Sequence, residues 1–161
     1  MDHATPAALE PAQGIQCGAL DLAFPYAWAH AISEDFSLTP VPNAPAWLAG
    51  ATNVEGEIVP VFDLAAWVDP LAPNPGRARL LVGGHGGDRA AIVFSGAARM
   101  VRYQAGRPVV SGPHAPPLPL RPFVLGSSET TPLHWVLDGR RLLDALASAL
   151  QNPTPPRPAV P

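Results

Sequence analysis

Lysine is absent from this chain; all ten basic residues are arginine. Alanine, proline and glycine are abundant alongside, so the absence follows gene base composition and carries no functional claim. Charge of either sign is scarce, at 14% of residues, and the formal net charge is −3. Neither the basic stripe of a nucleic-acid-binding protein nor the polybasic segment of a membrane-surface protein is present. Cys17 is the single cysteine, which excludes an intramolecular disulfide and a cysteine-built zinc site and suits a reducing compartment. No apolar run reaches the ~18 residues of a spanning helix. The opening MDHATPAALEPAQ carries Asp2 and Glu10 and lacks the basic and apolar regions of a signal peptide. The expectation is a soluble cytoplasmic protein with no nucleic-acid partner and no direct membrane insertion.

Recognisable catalytic chemistry is missing too. Gly83-Gly84-His85-Gly86-Gly87-Asp88 is dense in glycine but lacks the Gly-Lys-Ser/Thr ending of a phosphate loop. It lies between the strand-like runs LLV and AAIVF and reads as a hairpin loop. His3, His30, His85, His114 and His134 show no helical ligand spacing. Ser95, Ser111, Ser127 and Ser128 stand outside any Gly-x-Ser-x-Gly context. Glu55 and Glu57 flank Gly56 on a turn with no histidine near in sequence, where paired carboxylates simply remain ionised. The chain is expected to be no enzyme, with no cofactor and no metal.

What the chain does have is turn chemistry. Its 22 prolines and 14 glycines argue for short strands joined by many turns. Strands are expected near Leu20–Phe24, Trp47–Val54, Ile58–Phe62, Arg79–Val82, Ala90–Phe94, Met100–Tyr103, Phe123–Gly126 and His134–Leu137. Pro25 to Ile32 fits either a helix or a bent extension. Asp138 to Leu150 is the clearest helix: Asp138 caps it, and Leu142, Leu143, Leu146 and Leu150 form one apolar stripe. The link from Gln104 to Pro122 is expected to wrap the surface. Residues 1 to 13 read as a flexible arm, and the proline-rich end, residues 152 to 161, reads as a flexible tail.

Leu38 to Val68, LTPVPNAPAWLAGATNVEGEIVPVFDLAAWV, is the most informative stretch. Pro40, Pro42 and Pro45 hold its start extended, because each proline also biases its predecessor away from helix. Two apolar runs follow, split by the turn signal Glu55-Gly56, and Asp63 caps a short helix. The same plan recurs near the C-terminus. Pro122-Phe123-Val124-Leu125-Gly126 sits like Ala46-Trp47-Leu48-Ala49-Gly50, and His134-Trp135-Val136-Leu137-Asp138 like Val59-Pro60-Val61-Phe62-Asp63. This predicts two similar β subdomains. The loop Val41-Pro42-Asn43-Ala44-Pro45 is rigid and small-sided, and the turn Asn53-Val54-Glu55-Gly56-Glu57 adds polar groups. A pre-ordered loop loses little entropy on binding, which favours an interaction role.

Pro42, Asn43, Ala44, Pro45, Gly50, Asn53, Gly56, Glu57, Ile58, Pro60, Val61, Asp63 and Leu64 together resemble the signature of CheW-like domains, the coupling modules of bacterial chemotaxis arrays. The resemblance spans roughly residues 18 to 146 and is specific over 38 to 68. It implies a mostly β fold: two small SH3-like, five-stranded β-barrel subdomains packed together, with short helices at their ends. Residues 14 to 151 would then form one such domain of two interleaved subdomains. It implies coupling in place of catalysis. The partners would be the regulatory domain of a CheA-type histidine kinase and the cytoplasmic tip of a methyl-accepting chemoreceptor. The partner-binding residues would be Pro42, Asn43, Ala44, Pro45, Asn53, Val54, Glu55, Gly56 and Glu57.

Two departures stand out. The family motif usually has a basic residue where Glu55 stands, which points to an altered partner and a divergent pathway, such as one governing twitching motility by type IV pili. The N-terminal apolar strand of the family is hard to see: Gly14 to Gly18 is the best stand-in, so one barrel is expected to lack a full edge strand. The alternative from another class is a divergent β-barrel that binds a small ligand, or an enzyme with no recognisable catalytic motif.

Overall fold

The computed structural model describes residues 8–71, 78–106, 115–129 and 132–151. Ten strands and two helices are formed by those residues: β1 Glu10–Cys17, β2 Leu20–Pro25, β3 Ala29–Ser33, β4 Leu48–Val54, β5 Glu57–Phe62, α1 Leu64–Val68, β6 Arg79–Gly83, β7 Ala90–Phe94, β8 Ala98–Tyr103, β9 Val124–Ser127, β10 Trp135–Leu137 and α2 Gly139–Gln151. All eight expected strands are present, with ends shifted by a residue or two. Two more were not foreseen as full strands. Pro25 to Ile32 is no helix: it turns and then enters β3. Glu10 to Gln13, taken as part of a loose arm, belongs to β1. The proline-rich end, 152 to 161, and the middle of the long link, 107 to 114, lie outside the described residues.

The missing edge strand is therefore not missing. β1 is eight residues long and pairs with β2 on one side and β8 on the other. Its sequence, EPAQGIQC, has almost no strand propensity. It is a strand because Ala12, Gly14, Ile15 and Cys17 are buried and because both its edges are hydrogen-bonded. Gly14 is needed there. A Cβ at that position would lie 2.9 Å from the Arg99 carbonyl oxygen and 3.0 Å from the His134 ring.

The strands form two five-stranded sheets, ordered β8-β1-β2-β10-β9 and β3-β6-β7-β5-β4. The second order repeats the first. In each, the first two pairings are antiparallel, the third is parallel and the last is antiparallel. In each, the parallel pair matches a valine with an alanine: Val136 with Ala23, and Val61 with Ala91. A capped helix follows that valine strand in both. The expected duplication is real, with one twist. β3 to β7 are contiguous in the chain, whereas the other sheet combines N-terminal β1 and β2 with C-terminal β8, β9 and β10. Both sheets curl back on themselves: Tyr103 bridges to Ser128, and Thr39 bridges to Ala51.

Apolar side chains segregate into three clusters. Ala12, Ala23, Val101, Tyr103 and Val136 fill one sheet's hollow, and Val61, Leu80, Val82, Ala91 and Val93 fill the other's. The largest cluster is the seam between them, where Ile15, Leu22 and Phe24 meet Phe62, Leu81, Ile92 and Phe94. Alternation along each strand sends one set of residues into its own sheet's hollow and the other into the seam. α2 closes the seam with Leu142, Leu143 and Leu146, and Leu150 packs at its margin, as the stripe predicts. Each fully buried Phe or Leu contributes about 1.5–3 kcal/mol of apolar burial.

Candidate partner-binding site

β4 is the outermost strand of its sheet, and the residues singled out for binding sit at its two ends. At the far end, Glu55 and Gly56 form a two-residue hairpin turn between β4 and β5, with Val54 paired to Glu57. Both turn residues have positive φ, 51° and 88°, the geometry that matches the twist of the flanking strands. Gly56 adopts it freely, while Glu55 does so against its side chain. Asn53 offsets part of this: its Oδ1 accepts the Gly56 N–H at 2.9 Å.

Arg89, at the start of β7, stands beside the turn. Its Nη2 donates to Glu55 Oε2 at 3.2 Å, and its Nη1 lies 3.7 Å from Glu57 Oε2. The carboxylates are largely exposed, so each pair is worth at most about 1 kcal/mol. The turn does have histidine neighbours, contrary to the sequence reading. His30 and His85, with ring centroids 4.4 Å apart, line the same shallow polar basin as Glu55, Glu57 and Arg89. Among the described residues, no group of three or more His, Cys, Asp or Glu is placed to hold a metal ion.

At the near end of β4, the Pro42–Pro45 loop is built from two tight turns. Ala44 N–H donates to the Val41 carbonyl at 3.3 Å and Leu48 N–H to that of Pro45 at 3.0 Å. Asn43 takes a left-handed φ of 59°, a conformation asparagine tolerates. Pro42 and Asn43 are exposed, and Ala44 and Pro45 are half-buried. Seven residues of β4 separate this loop from the hairpin tip, roughly 20 Å at the strand rise. The two segments are therefore not one patch. They mark the ends of one sheet edge.

Gly83 to Asp88 connects β6 to β7, as expected, and ends in a single 3₁₀ turn, Gly86–Asp88. Gly84 N–H donates to the Trp28 carbonyl at 3.0 Å, which ties this loop to the link between the two sheets. Trp28 itself is wedged between two glycines. A Cβ on Gly83 or Gly139 would lie 2.5 or 2.4 Å from its ring carbons. Beside this wedge lies a cleft of about 480 Å³, with Trp28, Leu125 and Leu143 among its apolar walls and Asp88, Asp138 and Arg140 among its polar ones. Sequence reasoning missed this cleft. Its one signal was Gly139, a glycine placed just inside a helix start where a better helix former would be expected.

Two buried groups carry shifted acidities. Burial, followed by the carboxylates of Asp63 and Asp21, pushes the Cys17 thiol up, away from its reactive thiolate form. Burial, together with its hydrogen bond to Glu10, pushes Tyr103 up to about 12. His134 is buried and structural: its N–H donates to Ser128 Oγ at 2.8 Å, and its Nδ1 lies 2.9 Å from the Pro132 carbonyl. None of these groups adjoins another in a way that would move a proton or hold a nucleophile.

Residues 13–144 match the family model of the CheW-like domain. No curated protein matches the chain. Among solved structures, the chain is similar to the scaffolding protein TtCheW from Thermoanaerobacter tengcongensis, with a TM-score of 0.63 and 18% identity, over 84% of this chain and 92% of that one. At that identity the likeness speaks for the fold.

Proposed function

The chain belongs to the CheW-like domain family, and from that premise we propose that it bridges a CheA-type histidine kinase and the cytoplasmic tip of a chemoreceptor. As a CheW-like scaffold of chemotaxis-type signalling it is a non-enzymatic adaptor. The kinase contact would be made with the kinase's regulatory domain. The observation that carries the reading is the family match over most of the chain, joined to a fold whose exposed sheet edge ends in two pre-shaped loops.

In this reading Pro42, Asn43, Ala44 and Pro45 at one end of β4, and Asn53, Val54, Glu55, Gly56 and Glu57 at the other, meet the partner. Their turns are already hydrogen-bonded in the free chain, so little conformational entropy is lost on docking. The acidic tip favours a partner with a basic residue opposite it and acts on encounter rate and partner choice.

The test pairs two measurements on Glu55→Arg: unfolding by denaturant, and binding to purified kinase regulatory domain and receptor-tip fragments. Stability should stay within about 0.5 kcal/mol of wild type, because the residue is exposed, while binding to at least one fragment weakens. A variant that is stable and binds both fragments as before removes the hairpin tip from the interface. Failure of the unaltered chain to bind either fragment removes the coupling assignment.

A further inference from the structure

We propose that this chain associates with a second copy of itself, head to tail, the acidic tip of the β4–β5 hairpin in one molecule meeting the basic strand β8 of the other. The proposal builds on the reading of the tip as a binding surface and gives it an additional partner.

Two faces of the molecule have the same design with opposite sign. At the hairpin, Glu55 and Glu57 are 77% and 56% exposed, and the next residue, Ile58, leaves 72% of its surface in water. On β8, Arg99 and Arg102 are exposed and flank Met100, which is 51% exposed. Each face thus sets one large uncovered apolar side chain among like charges. Arg89 takes up part of the tip's charge, so Glu55, Glu57 and Arg89 together carry −1. Arg99 and Arg102 carry +2 and have no ion-pair partner among the described residues.

The two faces cannot satisfy each other within one molecule. They belong to different sheets, each on or beside that sheet's outermost strand, and no contact joins them. Between molecules they fit: the carboxylates meet guanidinium groups while Ile58 and Met100 cover each other. Opposite charges bring the faces together and like charges exclude the wrong pairings, tip on tip and β8 on β8. Because different surfaces meet, the contact leaves one free face of each kind at the ends of a pair, and it can be extended.

Sedimentation velocity on the full chain, over a range of concentrations, tests this without any kinase or receptor present. At low ionic strength the weight-average mass should rise with concentration, and it should fall back to that of a monomer at about 0.5 M salt, where exposed charges are screened. Glu55→Arg with Glu57→Arg should weaken self-association about tenfold or more. Arg99→Glu with Arg102→Glu should do the same. Mixed together, the two variants should associate again, since each then offers the charge the other needs. If a paired variant fails to fold, Glu57→Arg and Arg102→Glu singly carry the same comparison. A wild-type chain that stays monomeric at low salt overturns the proposal. So does a variant that associates like wild type, or a mixture of folded variants that does not. None of these outcomes bears on kinase or receptor binding, which is read by the fragment assay.

Discussion

Asp138 donates its backbone N–H to the Phe123 carbonyl at 2.8 Å, the same contact at the same length that Asp63 makes with Trp47. Each aspartate then turns its side chain to the helix it begins. Asp138 Oδ1 accepts from Arg141 N–H at 3.1 Å, and Asp63 Oδ1 accepts from Ala66 N–H at 3.1 Å. One residue thus ends a strand, latches it to the residue before the neighbouring strand, and caps a helix. This repeated latch is the local signature of the duplication.

Replacing either aspartate with alanine removes a cap and should cost about 1 kcal/mol, while asparagine, which caps as well, should cost much less. Urea unfolding of the four variants checks this. Equal losses for alanine and asparagine would show that the charge, not the cap, is what matters.

Gly139→Ala should be far more costly than its position in an outer helix turn implies. The added methyl would meet the Trp28 indole, and overpacking of this kind costs about 1–3 kcal/mol. Gly87→Ala is the control, because nothing lies near its Cβ. Thermal unfolding should separate the two variants clearly, and tryptophan fluorescence should shift only in the first.

Cys17 should be inert to a thiol reagent in the native protein and react at once in denaturant, since it is buried in the seam and its thiol is held protonated. The native labelling rate then reports how often the two sheets part. Ile92→Ala, which hollows the seam, should raise that rate along with its loss of 2–5 kcal/mol, to order of magnitude. Rapid labelling of the unaltered native chain would contradict the closed seam.

Tyr103 gives a pH dependence with a defined sign. Its folded pKa is raised from 10.0 to about 12, so the native state favours the protonated phenol. That contribution is fully present below pH 10 and is lost as pH rises toward 12. Denaturant midpoints of the wild type should fall across this window, and Tyr103→Phe should flatten the fall. The variant should also lose about 1 kcal/mol at neutral pH, from the missing hydrogen bond to Glu10. An identical alkaline slope in both proteins would rule Tyr103 out as its source.

What could be read from the chain alone was local. Strands such as Ala90–Phe94, the Glu55-Gly56 turn, the Asp63 and Asp138 caps and the Leu142–Leu146 stripe depend on periods of two or 3.6 residues and on neighbours three positions away. The paired plans around Gly50 and Gly126 were legible for a related reason. A Cβ at either would strike a carbonyl, of Thr39 at 2.7 Å or of Gln104 at 2.6 Å, so both copies need glycine at the same step.

Tertiary structure alone decided the rest. β1 has no strand pattern and becomes a strand only because β2 and β8 bond both its edges, the latter from some ninety residues away in the chain. Arg89 meets Glu55 across 34 residues, and the sequence around neither one signals the other. The two binding segments looked like neighbours because little chain separates them, yet an extended strand holds them apart. Residue type and spacing encode the conformation of a few consecutive residues. Which distant strands pair, and which charges then face each other, depends on how well the whole chain buries its apolar surface at once.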